Sequence, residues 1–255
     1  DREQNEINEY NSFNPNEWSP LKIPNGAARD THNNPTITKN KATYKWQKPV
    51  TPHWASVESF ALKNPDQFRP VAPPKLGQHG QYTDAKGKTT TEDKAYRKQL
   101  RQLVHISESL NNRQKAKAEY WADGPQTTTP VGHWNEIAQD LAQRDDLSLE
   151  DDVKLFFLLN NALFDTGISV WDAKYHYNFI RPQQAIRNLY EGKEVKAWTG
   201  ANNDNVSIKG EYWQPYQDPI FITPAFPEYT SGHSAFSYAA ASILSRYLRS
   251  DQYYD

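Results

Sequence analysis

The stretch that most restricts the fold runs from Leu149 to about Phe179. Phe156, Phe157, Leu159, Ala162, Leu163, Ile168 and Trp171 spread over more than one face of a helix drawn through it. A helix that is apolar on several sides needs other elements around it, so this stretch predicts the central, buried helix of a helical body. Ser148 and Asp151 form a capping-box-like start, and Glu150, Asp151 and Asp152 sit at the favourable end of the dipole. Asn160, Asn161 and Asp165 would be costly on such a helix unless hydrogen-bonded. The purely apolar part, Val153 to Leu163, is interrupted by Lys154 and Asn160 and is too short for a membrane span, so membrane insertion is not expected.

Further helices are expected around it. Leu100, Leu103, Val104, Ser107 and Leu110 form a helical stripe in a segment running from Thr91 to about Trp121, with Arg113, Lys115 and Lys117 on its solvated face. Asp123-Gly124-Pro125 ends it. A second helix, about 133–145, follows Pro130-Val131-Gly132-His133-Trp134, and a short one runs from Pro182 through Leu189. Glu191 to Gln217 reads as a long polar loop, with Trp198, Tyr212, Trp213 and Tyr216 as candidate linings of a pocket mouth. A last helix ends near Arg249.

The first 90 residues are different. Prolines at 15, 20, 24, 35, 49, 52, 65, 70, 73 and 74 predict irregular, extended structure. Trp18, Trp46, Trp54, Phe60 and Phe68 make it a segment that wraps the helical body and inserts rings into it. His32, His53 and His79 lack metal-ligand spacing and read as surface residues. The expected architecture is an all-α helical bundle with an extended N-terminal segment, divided into residues 1–90 and 91–255.

Composition narrows the function. The absence of cysteine excludes disulfides, thiolate nucleophiles and Cys-ligated metals, and fits a secreted or periplasmic protein. A net charge of −2 weighs against binding nucleic acid or anionic membranes.

Two motifs carry chemistry. Pro227-Glu228-Tyr229-Thr230-Ser231-Gly232-His233 leads from a loop into an Ala-rich helix, with Ser231 or Ser234 as N-cap. A helix start offers unpaired N–H groups and the positive end of a dipole, a place to hold an oxyanion. Ser231 adds a hydroxyl, Gly232 lets backbone come close, and His233 adds an imidazole, a side chain suited to acid–base work. By itself this is equally a capped helix with an incidental histidine. Upstream, Lys174 sits late on the long helix and Arg181 precedes Pro182, seven positions on, at the joint before the next helix. Two cations so placed can grip a tetrahedral anion from two sides. Asp172 and His176 flank Lys174 and read as partners of nearby cations; His133 reads as a capping or packing residue that could also touch the anion pocket.

A lysine, six residues, Arg-Pro, and then a Ser-Gly-His helix start resembles the pattern of the vanadium-dependent haloperoxidases and the type 2 phosphatidic acid phosphatase superfamily. The bacterial haloperoxidase-like branch resembles this chain from about Ala118-Glu119-Tyr120-Trp121 through Gly132-His133-Trp134 onward. The resemblance implies vanadate as cofactor, with phosphate as a competing oxyanion, and hydrogen peroxide and halide as substrates. On that resemblance, peroxide would replace an oxygen on vanadium and halide would attack the activated peroxide. Lys174 would polarise the peroxide; Arg181, the Ser231 hydroxyl and the Gly232 amide would neutralise oxygens; His233 would be the acid–base group. In the phosphatase alternative the same cradle holds a phosphate monoester and His233 protonates the leaving group.

One departure stands out. The family's third motif, Ser-Arg with a later Gly-x-His and Asp, supplies the vanadate-bonding or nucleophilic histidine. Ser245-Arg246 has the opening dipeptide, but no histidine follows it in these residues, so no metal ligand is assigned and the helical domain is expected to be incomplete at its C-terminus. Residues 1–255 are therefore expected to bind vanadate or phosphate without halide oxidation or ester hydrolysis; a non-catalytic oxyanion binder or structural protein, and a homo-oligomer, stay open. His133 and His176 are the only candidates to substitute for the missing imidazole, and His176, two residues from Lys174, points about 200° away from it on a helix.

Overall fold

The computed structural model describes residues 14–24, 28–29, 35–36, 44–124, 127–198, 205–217 and 223–253. Among these, the regular structure is mainly helical: α1 (Glu92–Glu108), α2 (Asn112–Tyr120), α3 (Thr129–Arg144), α4 (Leu149–Tyr177), α5 (Pro182–Leu189) and α6 (Gly232–Leu248). The strands are β1 (Lys22–Pro24), β2 (Ala28–Arg29), β3 (Pro35–Thr36), β4 (Tyr44–Trp46), β5 (Gln81–Thr83), β6 (Thr89–Thr91), β7 (Glu194–Ala197) and β8 (Val206–Lys209). They pair antiparallel and only two at a time, β1 with β4, β2 with β3, β5 with β6 and β7 with β8, so the class is all-α. The side chain of Trp46, and His32 and residues 199–204 of the predicted Glu191–Gln217 loop, lie outside the described residues.

The chain divides into two compact units, each assembled from three separate stretches. One draws on residues up to Val50, Ala72–Tyr120 and Tyr177–Glu228; the other on Thr51–Val71, Trp121–His176 and Tyr229 onward.

In the first unit α1, α5 and the β7–β8 ladder enclose a core of Tyr96, Leu100, Val104, Ile180, Ile186, Val195 and Trp213. Thr91 caps α1, its hydroxyl accepting from the Lys94 N–H at 3.4 Å. The predicted helix from Thr91 to Trp121 is in fact two. Ser109 closes α1, and Asn111 and Gln114 then form a reciprocal capping pair, each side-chain oxygen accepting the other's backbone N–H at 3.0 and 2.9 Å. Leu103, expected on the buried stripe, faces solvent. The predicted loop from Glu191 to Gln217 contains the β7–β8 ladder, in which Val195 and Ala197 point inward and Glu194 and Lys196 outward. Trp213, expected at a pocket mouth, is a core residue with 3% exposure, and its carbonyl accepts from Arg187 Nε at 2.9 Å. Trp18 is buried as expected, its N–H donating to the Asn178 carbonyl at 2.8 Å.

In the second unit α4 begins at Ser148, whose hydroxyl accepts from the Asp151 N–H at 3.2 Å and meets the Asp151 carboxylate at 2.7 Å. Leu155, Leu159, Leu163 and Ile168 form its buried stripe. Leu149, Val153, Phe157 and Leu158 are exposed, so α4 is buried on one side and not wrapped all round as its composition predicts. By length and composition alone α4 is long and apolar enough to cross a membrane, which the count over Val153–Leu163 missed. Asn160 avoids the cost of burial by standing at the surface, exchanging hydrogen bonds with Asn135 of α3. The helix α3 starts at Thr129, a turn earlier than predicted, and is tied to α6 by Trp134 Nε1 donating to Ser237 Oγ at 3.1 Å. Tyr247 near the end of α6 donates to the Asp151 carbonyl at 2.9 Å.

The segment 51–71 braces α4 at three levels. Trp54 packs on Trp171 with ring centroids 4.8 Å apart. A Cβ at Gly167 would lie 2.8 Å from the Trp54 ring, so glycine is needed there. Asp165 accepts from the backbone N–H groups of Phe60, Ala61 and Leu62 at 2.6, 2.7 and 3.1 Å. Phe60 and Phe68 themselves stay exposed, contrary to the expectation that they insert into the body; the carboxylate of Asp165, not a buried ring, anchors this part.

Candidate functional site

The helix α6 opens at Ser231, which has extended backbone and whose hydroxyl accepts from the Ser234 N–H at 3.2 Å. Ser231, rather than Ser234, is therefore the N-cap. A Cβ at Gly232 would meet Phe236 at 3.7 Å and Trp171 at 4.0 Å, ordinary contacts, so glycine here keeps the approach to the helix start open without being demanded by the fold. His233 follows, with half of its side chain exposed.

Trp171 links this helix start to the first motif. The ammonium of Lys174 lies 6.0 Å from the Trp171 ring centroid, at the edge of cation–π range, and a Cβ added at Gly232 would come 4.0 Å from the six-membered ring of the same indole. Lys174 is only 2% exposed, and a buried ammonium is costly unless compensated. Asp172, two positions before it, is taken by Arg69 in a two-pronged pair, both N–O distances 2.7 Å. His176 is exposed on α4.

A second cluster forms around Asp123, whose side chain is 7% exposed. Its Oδ1 lies 3.0 Å from Nδ1 of His133, and its Oδ2 lies 3.8 Å from Nε2 of His233. His133 packs against Trp121, centroids 4.7 Å apart. It stands a turn inside α3 and not at its start, which rules out a capping role.

Arg181 belongs to the other unit. It is the N-cap of α5, extended before Pro182. Its Nε donates to Thr223 Oγ1 at 3.0 Å and its Nη1 to the Phe226 carbonyl at 3.1 Å. Nη2 lies 3.1 Å from a Glu228 carboxylate oxygen, close in distance though not aligned as a hydrogen bond. Its guanidinium stands over the Phe226 ring at 5.1 Å. Burial presses the guanidinium below its ordinary pKa, and the Glu228 charge opposes that shift.

Lys174 and Gly232 thus share one ring, and His233 faces Asp123. Reading the sequence for motifs missed three contributors: Asp123, which looked like a helix terminator; Arg69, inside the proline-rich segment; and Trp171, which looked like core. The Trp121-Ala122-Asp123 run so close before His133 was the available signal for the first. Beside Ser231 opens a cavity of about 520 Å³, with Ala173, Thr230, Ser231, Ala235 and Tyr238 among its mostly apolar lining. No group of three or more His, Asp or Glu suited to a metal ion occurs among the described residues.

Residues 154–255 match the family model described as the VCPO second helical-bundle domain. The vanadium chloroperoxidase of Curvularia inaequalis is 30% identical over 148 residues, covering 52% of this chain and 22% of that protein. The solved apo-type bacterial vanadium-dependent chloroperoxidase superposes with a TM-score of 0.72 at 23% identity, over 94% of this chain and 47% of that one. A bacterial vanadium-dependent iodoperoxidase gives 0.62 at 24% identity, over 94% and 47%. The chain therefore spans under a quarter of the curated relative and about half of the solved ones. The chain thus has the fold of the vanadium-dependent haloperoxidases.

Proposed function

We propose that this chain carries the oxyanion-binding part of a vanadate-dependent haloperoxidase, acting on halide and hydrogen peroxide. The observation that carries the reading is the Trp171 indole, with the Lys174 ammonium 6.0 Å from its centroid and the α6 start near its edge, where a Cβ added at Gly232 would come within 4.0 Å. A buried cation and a helix N-terminus on one ring suit a small, multiply charged anion. The residues fit vanadate in kind. Lys174 supplies a charge in a desolvated setting, where an electrostatic contact is worth more than in water. Ser231 keeps its hydroxyl hydrogen to donate, because its oxygen is the acceptor in the bond with Ser234. Gly232 adds a first-turn N–H that helix geometry leaves unpaired. Arg181 enters the reading on the Arg-Pro motif alone.

Vanadate, when bound, would supply a Lewis acid able to take up peroxide. The chain's own contributions are to hold the anion by charge and N–H donors and to move a proton at the His233 imidazole. Its half-exposed ring can exchange that proton with solvent.

Vanadate binding by residues 1–255, followed by vanadium NMR and by competition with phosphate, tests this. Lys174→Ala is expected to weaken binding about tenfold to a hundredfold, the worth of a hydrogen bond to a charged group. Absence of binding to either anion, or a Lys174→Ala protein that binds as well as the parent, would refute the reading. Bromide-plus-peroxide and phosphate-ester assays on the same preparation separate haloperoxidase from phosphatase chemistry.

A further inference from the structure

Asp123 is held in an unusual way. Its φ of 41° lies in the left-handed region, which few non-glycine residues occupy and Asp tolerates better than most. Its carboxylate is buried and divided between two histidines. Oδ1 is 3.0 Å from Nδ1 of His133. Oδ2 is buried without a hydrogen-bond partner and lies 3.8 Å from Nε2 of His233. A buried carboxylate oxygen lacking a donor is an exception that asks for one. The Nε2–H of His233 is less than about 1 Å beyond hydrogen-bond range, a distance that a small swing of its half-exposed ring closes.

His133 cannot swing in the same way. Its ring packs against Trp121, centroids 4.7 Å apart and planes tilted by 31°. The next residue, Trp134, is buried and donates to Ser237 of α6, one turn beyond His233. His133 is thereby fixed relative to the helix that carries His233.

We infer that His133 is a positioning residue for His233 and acts through Asp123. By donating Nδ1–H to Oδ1 it fixes the carboxylate, so that Oδ2 is presented to Nε2–H of His233. That contact sets the tautomer: Nε2 keeps its proton, and Nδ1 is the nitrogen that takes up or gives a proton. The functional sense of the inference rests on His233 being the acid–base group proposed above; its structural content does not.

Long-range proton–nitrogen spectra of the histidine side chains in the full chain test it, with His233→Asn assigning the signals. The Nε2-bound proton of His233 is expected to be visible because its exchange with water is slowed. In His133→Ala and in Asp123→Asn its exchange should speed up at least tenfold. In His133→Asn, whose amide places an N–H near the lost Nδ1–H, it should stay slow. If the wild-type proton is not slowed, or if folded His133→Ala keeps it within twofold, the inference is wrong. Should His133→Ala fail to fold, the contrast between Asp123→Asn and His133→Asn decides: loss in the first and retention in the second support the inference, and any other pairing overturns it. Vanadate binding measured on the same wild-type sample keeps the two readings separate, because the chain can fail to bind vanadate and still show the clamped ring, or bind it without the clamp.

Discussion

Replacing Asp165 by alanine should open one wall of the molecule without unfolding the rest. The carboxylate accepts from the Phe60, Ala61 and Leu62 N–H groups at 2.6, 2.7 and 3.1 Å, and Asp165 itself is buried. A net hydrogen bond is worth about 1 kcal/mol, and one to a charged group about 1.5–3 kcal/mol. Three bonds to the carboxylate would lose roughly 4.5–9 kcal/mol if the freed donors stayed dry. They do not, because Phe60 and Ala61 lie at the surface, where water can take over part of the bonding. A net local cost of about 2–4 kcal/mol remains, equivalent to roughly thirtyfold to a thousandfold in the opening equilibrium. Amide hydrogen exchange, read on peptides spanning residues 58–64, is the direct assay. Exchange there should accelerate by that factor, while amides of α3 and the second half of α6 change little. Asp165→Asn keeps one acceptor oxygen but turns an NH₂ group on a backbone N–H, and should fall between the two. Acceleration of less than about threefold in folded Asp165→Ala would mean that the three bonds do not hold the segment, and the argument would fail.

Two further outcomes follow from groups whose partners are equally explicit. Ser231→Ala removes the cap of α6 and should cost about 1 kcal/mol in urea unfolding, with Ser231→Gly losing only a few tenths; equal losses would mean that the hydroxyl does not cap. Tyr96 is buried and its phenol is pushed above its ordinary range, so its contribution to stability is full below pH about 10 and declines as pH rises beyond that. Tyr96→Phe should flatten that alkaline decline in urea midpoints. It should also cost about 1 kcal/mol at neutral pH by leaving the Pro15 carbonyl without its 2.9 Å partner, and an unchanged alkaline slope would count against the burial argument.

The helical class was legible because its signals are local. The capping pair at Ser148 and Asp151, the proline at the start of α5 and the serine at the start of α6 each act within a single turn. The errors arose where a local pattern had a rival of similar strength. Asn111 and Gln114 cap each other as well as they would continue a helix, and the chain took the cap. Glu194-Val195-Lys196-Ala197 alternates with a strand's period, but over only four residues it was lost among polar neighbours.

What the sequence concealed at the candidate site is non-local, and for one physical reason. Asp165 accepts from residues more than a hundred positions away, as Asp172 does from Arg69. In each case a carboxylate on α4 is neutralised by a segment whose own sequence, rich in proline and poor in periodic apolar residues, announces neither a helix nor a strand. Such a segment has no internal ladder to satisfy its backbone, so its N–H groups must find acceptors elsewhere. Acidic residues that look misplaced on an apolar helix are the acceptors it finds. The same logic explains Asp123. A helix terminator by local reading, it is buried because His133, ten positions on, supplies the donor that makes burial affordable. The proline-rich stretch and the out-of-place carboxylates are thus two halves of one device, and neither half is interpretable from its own neighbours in the chain.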